Sequence, residues 1–204
     1  MATIYVIDDD EQARNSVSVF VESIGHRAES FASADDLLKV HSDIGVCSDE
    51  DICIVTESLM PGMDVHDLLK EINQRPDPVP VIVLTSRATT ASVVQLVKSG
   101  AFTVLEKPFD GDQLSEVISE AISQSESLRI ESEKRRQVME RVALLSDKER
   151  AVMELMLEGL ANKVISNRLG VSVRTVESRR SAVLKKTGFG TLAALIRAIA
   201  ESGQ

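Results

Sequence analysis

The chain has 204 residues, of which 43% are hydrophobic and 27% charged, and its net charge is −9. This composition is typical of a globular protein of one or two domains, and no apolar run approaches the ~20 residues that a membrane helix needs. We expect no membrane partner. With no basic, apolar leader and no metal or redox spacing between Cys47 and Cys53, a reducing cytoplasm is the simplest compartment.

The charge is unevenly distributed along the chain. Residues 1–140 contain 12 Lys or Arg and 26 Asp or Glu, a net charge of −14, whereas residues 141–204 contain 11 and 6, a net charge of +5. The overall acidity argues against nucleic-acid binding, but the basic C-terminal part favours it. The division predicts an acidic regulatory domain followed by a DNA-binding domain.

The first 110 residues alternate between short apolar runs and segments with helical periodicity. The apolar runs cover residues 3–7, 52–56, 81–85 and 102–105, and residues 27–31 are a plausible further strand. Strands that alternate with helices in this way predict an α/β fold, a five-stranded parallel sheet covered by helices on both faces.

Polar side chains lie where four of these predicted strands end. They are Asp8, Asp9, Glu57, Thr85 and Lys107. Ligands of parallel sheets bind beyond the carboxyl ends of the strands, so these groups are expected to form one pocket. Such a set of acids, a hydroxyl and a lysine is hard to attribute to a chance surface.

Residues 112–145 contain neither proline nor glycine and predict one long helix. Seven apolar residues fall close to a heptad seam, although polar residues interrupt it; they are Leu114, Val117, Ala121, Leu128, Val138, Val142 and Leu145. A solvated single helix is one interpretation. We favour a dimeric coiled coil, because a largely polar helix has little else to hold it.

Three short helices are predicted after this long one. A capping box of Ser146 and Glu149 begins the first, the second begins near Asn162, and Gly170 separates it from a third at about 173–187. We expect Val164, Ile165 and Leu169 of the second helix to face inward. Two short helices joined by a glycine turn predict a helix-turn-helix, whose second helix enters the major groove of double-stranded DNA.

The third of these helices carries a polar, partly basic face opposite its apolar residues. Arginine and lysine suit phosphates, and other polar side chains suit base edges. The candidate DNA-binding residues are Lys163 on the preceding helix and Arg174, Glu177, Ser178, Arg179, Arg180, Ser181 and Lys185. An ordinary solvated face is the simpler interpretation, but it does not account for the helix-turn-helix spacing.

Motifs in both parts of the chain resemble those of one protein family. Val6-Ile7-Asp8-Asp9-Asp10, Leu59-Met60-Pro61-Gly62-Met63, Leu84-Thr85-Ser86 and Glu106-Lys107-Pro108-Phe109 resemble the receiver domain of bacterial response regulators. Leu145-Ser146, Asn162-Lys163 and Arg174-Thr175-Val176-Glu177 resemble the DNA-binding domain of LuxR/FixJ regulators. The whole chain therefore resembles a FixJ-type two-component response regulator. The resemblance implies a CheY-like receiver at 1–121, a linker helix at 112–145 and an all-α four-helix DNA-binding domain at 144–204.

The resemblance also implies roles for the pocket residues. In the family, an aspartate on the third strand accepts a phosphoryl group from a histidine kinase, and two acids on the first strand hold Mg²⁺. Asp8 and Asp9 match the metal positions, Thr85 matches a hydroxyl that binds the phosphoryl oxygens, and Lys107 matches the lysine that does so. The acceptor position differs, because Glu57 stands where the family has aspartate.

Glu57 is expected to be a poor acceptor. Its side chain is longer by one methylene, about 1.5 Å, and an error of ~1 Å can cost ~100-fold in rate. Glu57 also intrudes on the metal space, and its charge can reach Lys107 and partly imitate the phosphorylated state. Val104 stands where the family usually has Phe or Tyr, and Val65 where it usually has Gly.

These observations predict a DNA-binding transcription regulator rather than an enzyme. We expect this regulator to work without phosphorylation and to require no cofactor. Glu57 is expected to weaken any binding of Mg²⁺. Double-stranded DNA, a second copy of the chain and a histidine kinase or other protein are the expected partners. Three alternatives stay open. They are a conventional phosphorylation-dependent regulator that uses Glu57, a metal-dependent phosphatase, and a protein-interaction regulator that has lost DNA readout.

Overall fold

A computed structural model describes residues 1–42, 44, 50–75 and 79–202, so Cys47 lies outside the described residues. The chain divides into two compact units, Met1–Ser132 and Glu133–Gln204. One helix continues from the first unit into the second. Among the described residues, no helix combines the length and the apolar character that crossing a membrane requires.

The first unit is built from alternating strands and helices. These elements are β1 (Thr3–Ile7), α1 (Glu11–Ser23), β2 (Arg27–Phe31), α2 (Ala34–Val40), β3 (Ile52–Glu57), α3 (Val65–Asn73), β4 (Val81–Thr85), α4 (Thr90–Lys98), β5 (Thr103–Glu106) and α5 (Gly111–Ala143). The strands form one parallel sheet in the order β2-β1-β3-β4-β5. The predicted α/β fold with a five-stranded parallel sheet is confirmed.

Alternating side chains along each strand pack into two separate cores. Tyr5 and Ile7 of β1 belong to a cluster that includes residues of α2, α3 and α4. Ile4 and Val6 point to the other face and pack with residues of α1 and α5. Since both of their faces are buried, the inner strands β1, β3 and β4 read as nearly continuous apolar runs, whereas the edge strand β2 is partly exposed and more polar.

Two strands end one residue later than predicted, and both differences affect the pocket; β5 also begins one residue later than predicted, at Thr103. β3 includes Glu57, which pairs with Leu84, and β5 includes Glu106, which pairs with Thr85. Backbone pairing holds these two positions in the sheet although their side chains are charged. A prediction from apolar periodicity ends each strand at its last apolar residue and therefore misses them.

Helix α5 is continuous over 33 residues, but most of its predicted coiled-coil seam is not available to a partner helix. Leu114, Val117 and Ala121 pack in the core of the first unit. Val142, together with Leu145 just after the helix, packs in the core of the second unit. A heptad pattern in a sequence does not show whether its residues are buried against another chain or within the same chain. Here five of the seven seam residues pack in the cores of their own chain.

The second unit contains the end of α5 and four further helices. These are α6 (Asp147–Leu157), α7 (Asn162–Leu169), α8 (Val173–Thr187) and α9 (Leu192–Ser202). Gly170 is left-handed and ends α7. The prediction that Val164 faces inward is wrong, because its side chain is 42% exposed. Ile165 is buried as predicted and Leu169 packs against the same cluster, whereas Ser166 is buried in place of Val164.

Candidate functional site

The polar residues at the strand ends meet at one edge of the sheet. Two main-chain hydrogen bonds set their positions, because Ser58 N–H donates to Leu84 O at 2.8 Å and Lys107 N–H donates to Thr85 O at 2.8 Å. These bonds place the ends of β3 and β5 on either side of β4. The site is therefore built by sheet pairing and not by a flexible loop.

Lys107 lies between two buried carboxylates. Its Nζ donates to Glu57 Oε2 at 2.5 Å and to Asp8 Oδ2 at 3.1 Å. Residue exposure is 3% for Asp8 and 8% for Glu57, so solvent screens these contacts little. The lysine therefore shares one positive charge between two negative ones and forms an ion pair with each acid.

The environment of Lys107 acts on its pKa in opposite directions. Burial lowers the pKa of the ammonium group, while hydrogen bonds and charge from Glu57 and Asp8 raise it. The second influence prevails, and the pKa lies above the ordinary lysine value. Lys107 is consequently charged at neutral pH.

The two acids on the first strand have different environments. Asp8 is buried, and its Oδ1 accepts from Asp10 N–H at 3.0 Å while its Oδ2 accepts from Lys107. Arg14 Nη1 donates to the main-chain oxygen of Asp8 at 2.6 Å. Asp9, predicted as the second metal residue, is exposed. The structure thus brings Asp8, Glu57, Thr85 and Lys107 together and leaves Asp9 at the rim.

Mg²⁺ prefers an octahedral set of oxygen ligands, and in this arrangement the two buried acids are already engaged by the protein. Both oxygens of Asp8 and both oxygens of Glu57 already accept hydrogen bonds from the protein. Within the described part of the chain, no group of three or more His, Cys, Asp or Glu side chains is arranged to hold a metal ion. The Lys107 ammonium contacts both acids and therefore competes with a divalent cation for them.

Ser58 is a pocket residue that sequence reasoning missed. Its N–H and its Oγ lie 2.8 and 2.9 Å from Glu57 Oε1, and its Oγ lies 3.0 Å from Thr85 Oγ1. A serine that follows a strand reads as a loop residue, so no periodicity singles it out. Its position immediately after Glu57 was the one available signal.

The exposed face of α8 agrees with the spacing seen in the sequence. Val176 and Val183 are buried in the second unit, and Ser172 caps the helix by accepting from Thr175 N–H. Five predicted DNA-binding residues on α8 are exposed: Arg174, Glu177, Ser178, Ser181 and Lys185. Lys163 on α7 is also exposed, whereas Arg179 and Arg180 are half-buried.

A polar network fixes α8 against α6. Lys186 Nζ donates to Glu149 Oε2 at 2.7 Å, and Glu149 also accepts from Ser146 N–H and Oγ at 2.8 Å. The hydrogen bond from Lys186 and those from Ser146 lower the pKa of Glu149 to about 2. Lys186 therefore has a structural partner within the second unit.

Comparisons with known proteins match both parts of the chain. Residues 4–119 match the response regulator receiver domain family, and residues 143–199 match the luxR family of bacterial regulatory proteins. The chain is 34% identical to the transcriptional regulatory protein FixJ of Bradyrhizobium diazoefficiens, over 98% of this chain and 95% of that protein. It is 38% identical to the C4-dicarboxylate transport transcriptional regulatory protein DctR of Rhodobacter capsulatus, over 96% and 98%.

A solved structure shows the same similarity. The response regulator StyR matches with a TM-score of 0.74 and 26% identity, over 98% of both chains.

Proposed function

Because this chain belongs to the FixJ-type two-component response regulators, in which a receiver domain is joined to a LuxR-type DNA-binding domain, we propose that it regulates transcription without phosphorylation of its receiver. The chain is a DNA-binding transcriptional regulator by family. The proposal concerns how its receiver acts. The observation that carries it is the contact of Lys107 with both Glu57 and Asp8.

The contacts of Glu57 account for the loss of phosphoryl transfer. A nucleophilic carboxylate needs one oxygen free and aimed at the donor, held near the productive geometry. Glu57 Oε2 is bound to Lys107, and Oε1 is bound to the N–H and hydroxyl of Ser58. Lys107 and Thr85, the groups that match phosphoryl-binding positions, are likewise engaged within the protein.

The same contacts support a regulator that requires no cofactor. Receiver domains of this family commonly bind Mg²⁺ at the phosphorylation site. In this chain the Lys107 ammonium forms ion pairs with both buried acids. We infer that the fixed ion pair replaces both the metal and the phosphoryl group.

The C-terminal unit supplies the DNA contacts in this proposal. Arg174, Arg180 and Lys185 on α8, with Lys163 on α7, contact phosphates, because guanidinium and ammonium groups release counterions from the duplex. Glu177, Ser178 and Ser181 face base edges. Arg179 lies beside Arg180 on the half-buried side of the face and is a further phosphate candidate.

The remaining proposals concern organisation and partners. We propose a receiver at 1–121, a linker helix at 112–145 and a DNA-binding domain at 144–204, in a protein that meets DNA in the cytoplasm as a homodimer. Paired half-sites favour a dimer. With five seam residues used by the chain's own cores, the linker alone is too short for the three or more heptads of a stable coiled coil. A histidine kinase or other protein is a further candidate partner.

The DNA assignment is tested with a random-sequence duplex and fluorescence anisotropy at several salt concentrations. Replacing Arg180 with Ala should weaken binding to all sequences and reduce the salt slope by about one, because one phosphate contact is lost. Arg197→Ala, an exposed arginine on α9, removes the same charge and serves as the matched control. Equal slopes for the two variants would contradict the placement of α8 on DNA. Sedimentation of the complex reports whether two chains bind.

A further inference from the structure

The end of β4 is joined to Glu57 by side-chain hydrogen bonds rather than by packing. Thr85 Oγ1 lies 3.0 Å from Ser58 Oγ, and Ser58 Oγ lies 2.9 Å from Glu57 Oε1. On its other side, Thr85 Oγ1 accepts from Arg87 N–H at 3.2 Å. Ser58 is thus the residue through which Thr85 reaches the carboxylate.

The direction of these hydrogen bonds follows from the number of protons. Ser58 has one hydroxyl hydrogen and cannot donate to Glu57 and to Thr85 at the same time. The ionised carboxylate is the stronger acceptor, so Ser58 donates its hydrogen to Glu57 rather than to Thr85. The Thr85 hydroxyl hydrogen has two acceptors within reach, Ser58 Oγ at 3.0 Å and Arg87 O at 3.3 Å, and the relay uses the nearer one, Ser58. The chain then runs in one direction, from Arg87 N–H through Thr85 and Ser58 to Glu57. Hydrogen bonds aligned in this way polarise and strengthen one another.

A second contact holds the same loop. Ala88 N–H donates to Glu106 Oε1 at 3.2 Å. Two successive amides after β4 are therefore hydrogen-bonded, Arg87 N–H to the Thr85 hydroxyl and Ala88 N–H to the Glu106 carboxylate. The segment 86–89 joins β4 to α4, whose first residue is Thr90. Its position is therefore set by two acids, Glu57 through the serine relay and Glu106 directly.

We propose that Ser58 is a positioning residue that transmits the negative charge of Glu57 to the loop after β4. It does so by occupying the space between the carboxylate and Thr85, and the relay holds the loop in one arrangement without any added group. This inference rests on the proposed function, because a phosphoryl group on Glu57 would displace the serine hydroxyl. The relay makes Glu57 and Ser58 one unit, so their effects on the loop should not be additive.

Amide hydrogen exchange of the full-length protein tests the relay. Ser58→Ala removes the hydroxyl without adding volume, and we expect the amide of Arg87 to exchange about tenfold faster, the factor that corresponds to about 1.4 kcal/mol. Ser58→Thr, which keeps a hydroxyl, should restore slow exchange. Ser16→Ala removes a hydroxyl that donates to Gln12 O in α1 and serves as the matched control. Amides of the sheet interior should be unchanged in all three variants.

The combination with Glu57→Gln separates the relay from a general loosening of the pocket. Glu57→Gln keeps the side-chain length and removes the charge, so it should accelerate exchange at Arg87 as well. The double variant should exchange no faster than the faster single variant. Unchanged exchange at Arg87 in Ser58→Ala, no rescue by Ser58→Thr, or multiplicative effects in the double variant would overturn the relay. A phosphoryl adduct on the wild-type protein, measured separately, would instead contradict the proposed function.

Discussion

At the scale of residues, one lysine decides the state of the receiver pocket. Sequence alone identified Asp8, Glu57, Thr85 and Lys107, because strand ends in a parallel sheet converge. It predicted that the charge of Glu57 can reach Lys107, but it could not show that the ammonium also contacts Asp8, because that depends on side-chain length and rotamer at three positions. It also missed Ser58, whose role comes from facing Thr85 across two strands.

Replacement of Lys107 with Met should strongly destabilise the receiver unit. The change leaves two buried carboxylates facing each other without a cation, and breaking a buried ion pair costs about 3 kcal/mol at the low end of the usual range. The low end applies because the lysine side chain is 25% exposed. Urea denaturation followed by circular dichroism measures the loss.

Lys98→Met, at the exposed end of α4, is the matched control and should change stability little. Because the pKa of Lys107 is raised, the contribution of the pair is fully present below the ordinary lysine value of 10.5 and disappears only above the raised value. Equal stabilities of the two variants at neutral pH would show that the bridge contributes nothing.

At the scale of elements, helix α5 extends past the part that the receiver family match covers. That match ends at residue 119, but Ser125 Oγ accepts from the buried Ile52 N–H at 3.0 Å, and Arg129 Nε donates to Asp51 Oδ1 at 3.0 Å. Sequence predicted the long helix from the absence of proline and glycine. It could not predict this attachment to the start of β3, because a serine and an arginine on a polar helix look solvent-facing.

Ser125→Ala should therefore destabilise the receiver unit by about 1–3 kcal/mol, since it leaves the buried N–H of Ile52 without its acceptor. Ser127→Ala is a close control in the same helix, because Ser127 is exposed and donates only to Ser123 O among its described contacts. Thermal or urea unfolding of both variants gives the comparison. Equal free energies of unfolding for the two variants would show that the hydrogen bond between Ser125 and Ile52 does not stabilise the receiver unit.

The capping box of α6 gives a prediction about pH. The pKa of Glu149 is depressed to about 2, so its stabilising contribution is present above its ordinary value near 4.5 and is lost as the pH falls from there toward 2. The difference in unfolding free energy between wild type and Glu149→Gln should be constant from pH 8 to about pH 5 and shrink below that. Unfolding curves measured across this pH range test it, and a difference that persists at pH 2 would contradict the assignment.

At the scale of the whole molecule, sequence predicted the order of the strands and helices better than the association of one chain with another. Periodicity, caps and glycine turns located all five strands and the first three helices after α5, because local signals determine where such elements begin and end. The fourth of these helices was expected from the family resemblance. The heptad seam was misleading, since Leu114 and Val142 bury within the chain's own units. Burial against self and burial against a partner leave the same pattern in a sequence.

The central claim is that this family member has exchanged a reversible charge for a fixed one. A phosphorylation switch moves a population because the added group favours one state, and a shift from 1:99 to 99:1 requires ~5.5 kcal/mol. In the proposed function, Glu57 supplies a constant bias through its contacts with Lys107 and Ser58, and a fixed side chain cannot supply a reversible one.

Intact-mass spectrometry after treatment with acetyl phosphate and Mg²⁺ tests this claim most directly. The wild-type protein should keep its mass, and its affinity for duplex DNA should be the same with and without the phosphodonor. Glu57→Asp shortens the carboxylate to the length that the family uses and should gain one phosphoryl group, which shows that the reagent and the rest of the pocket are competent. One phosphoryl group on the wild-type protein, located at Glu57 by fragmentation, would contradict the account.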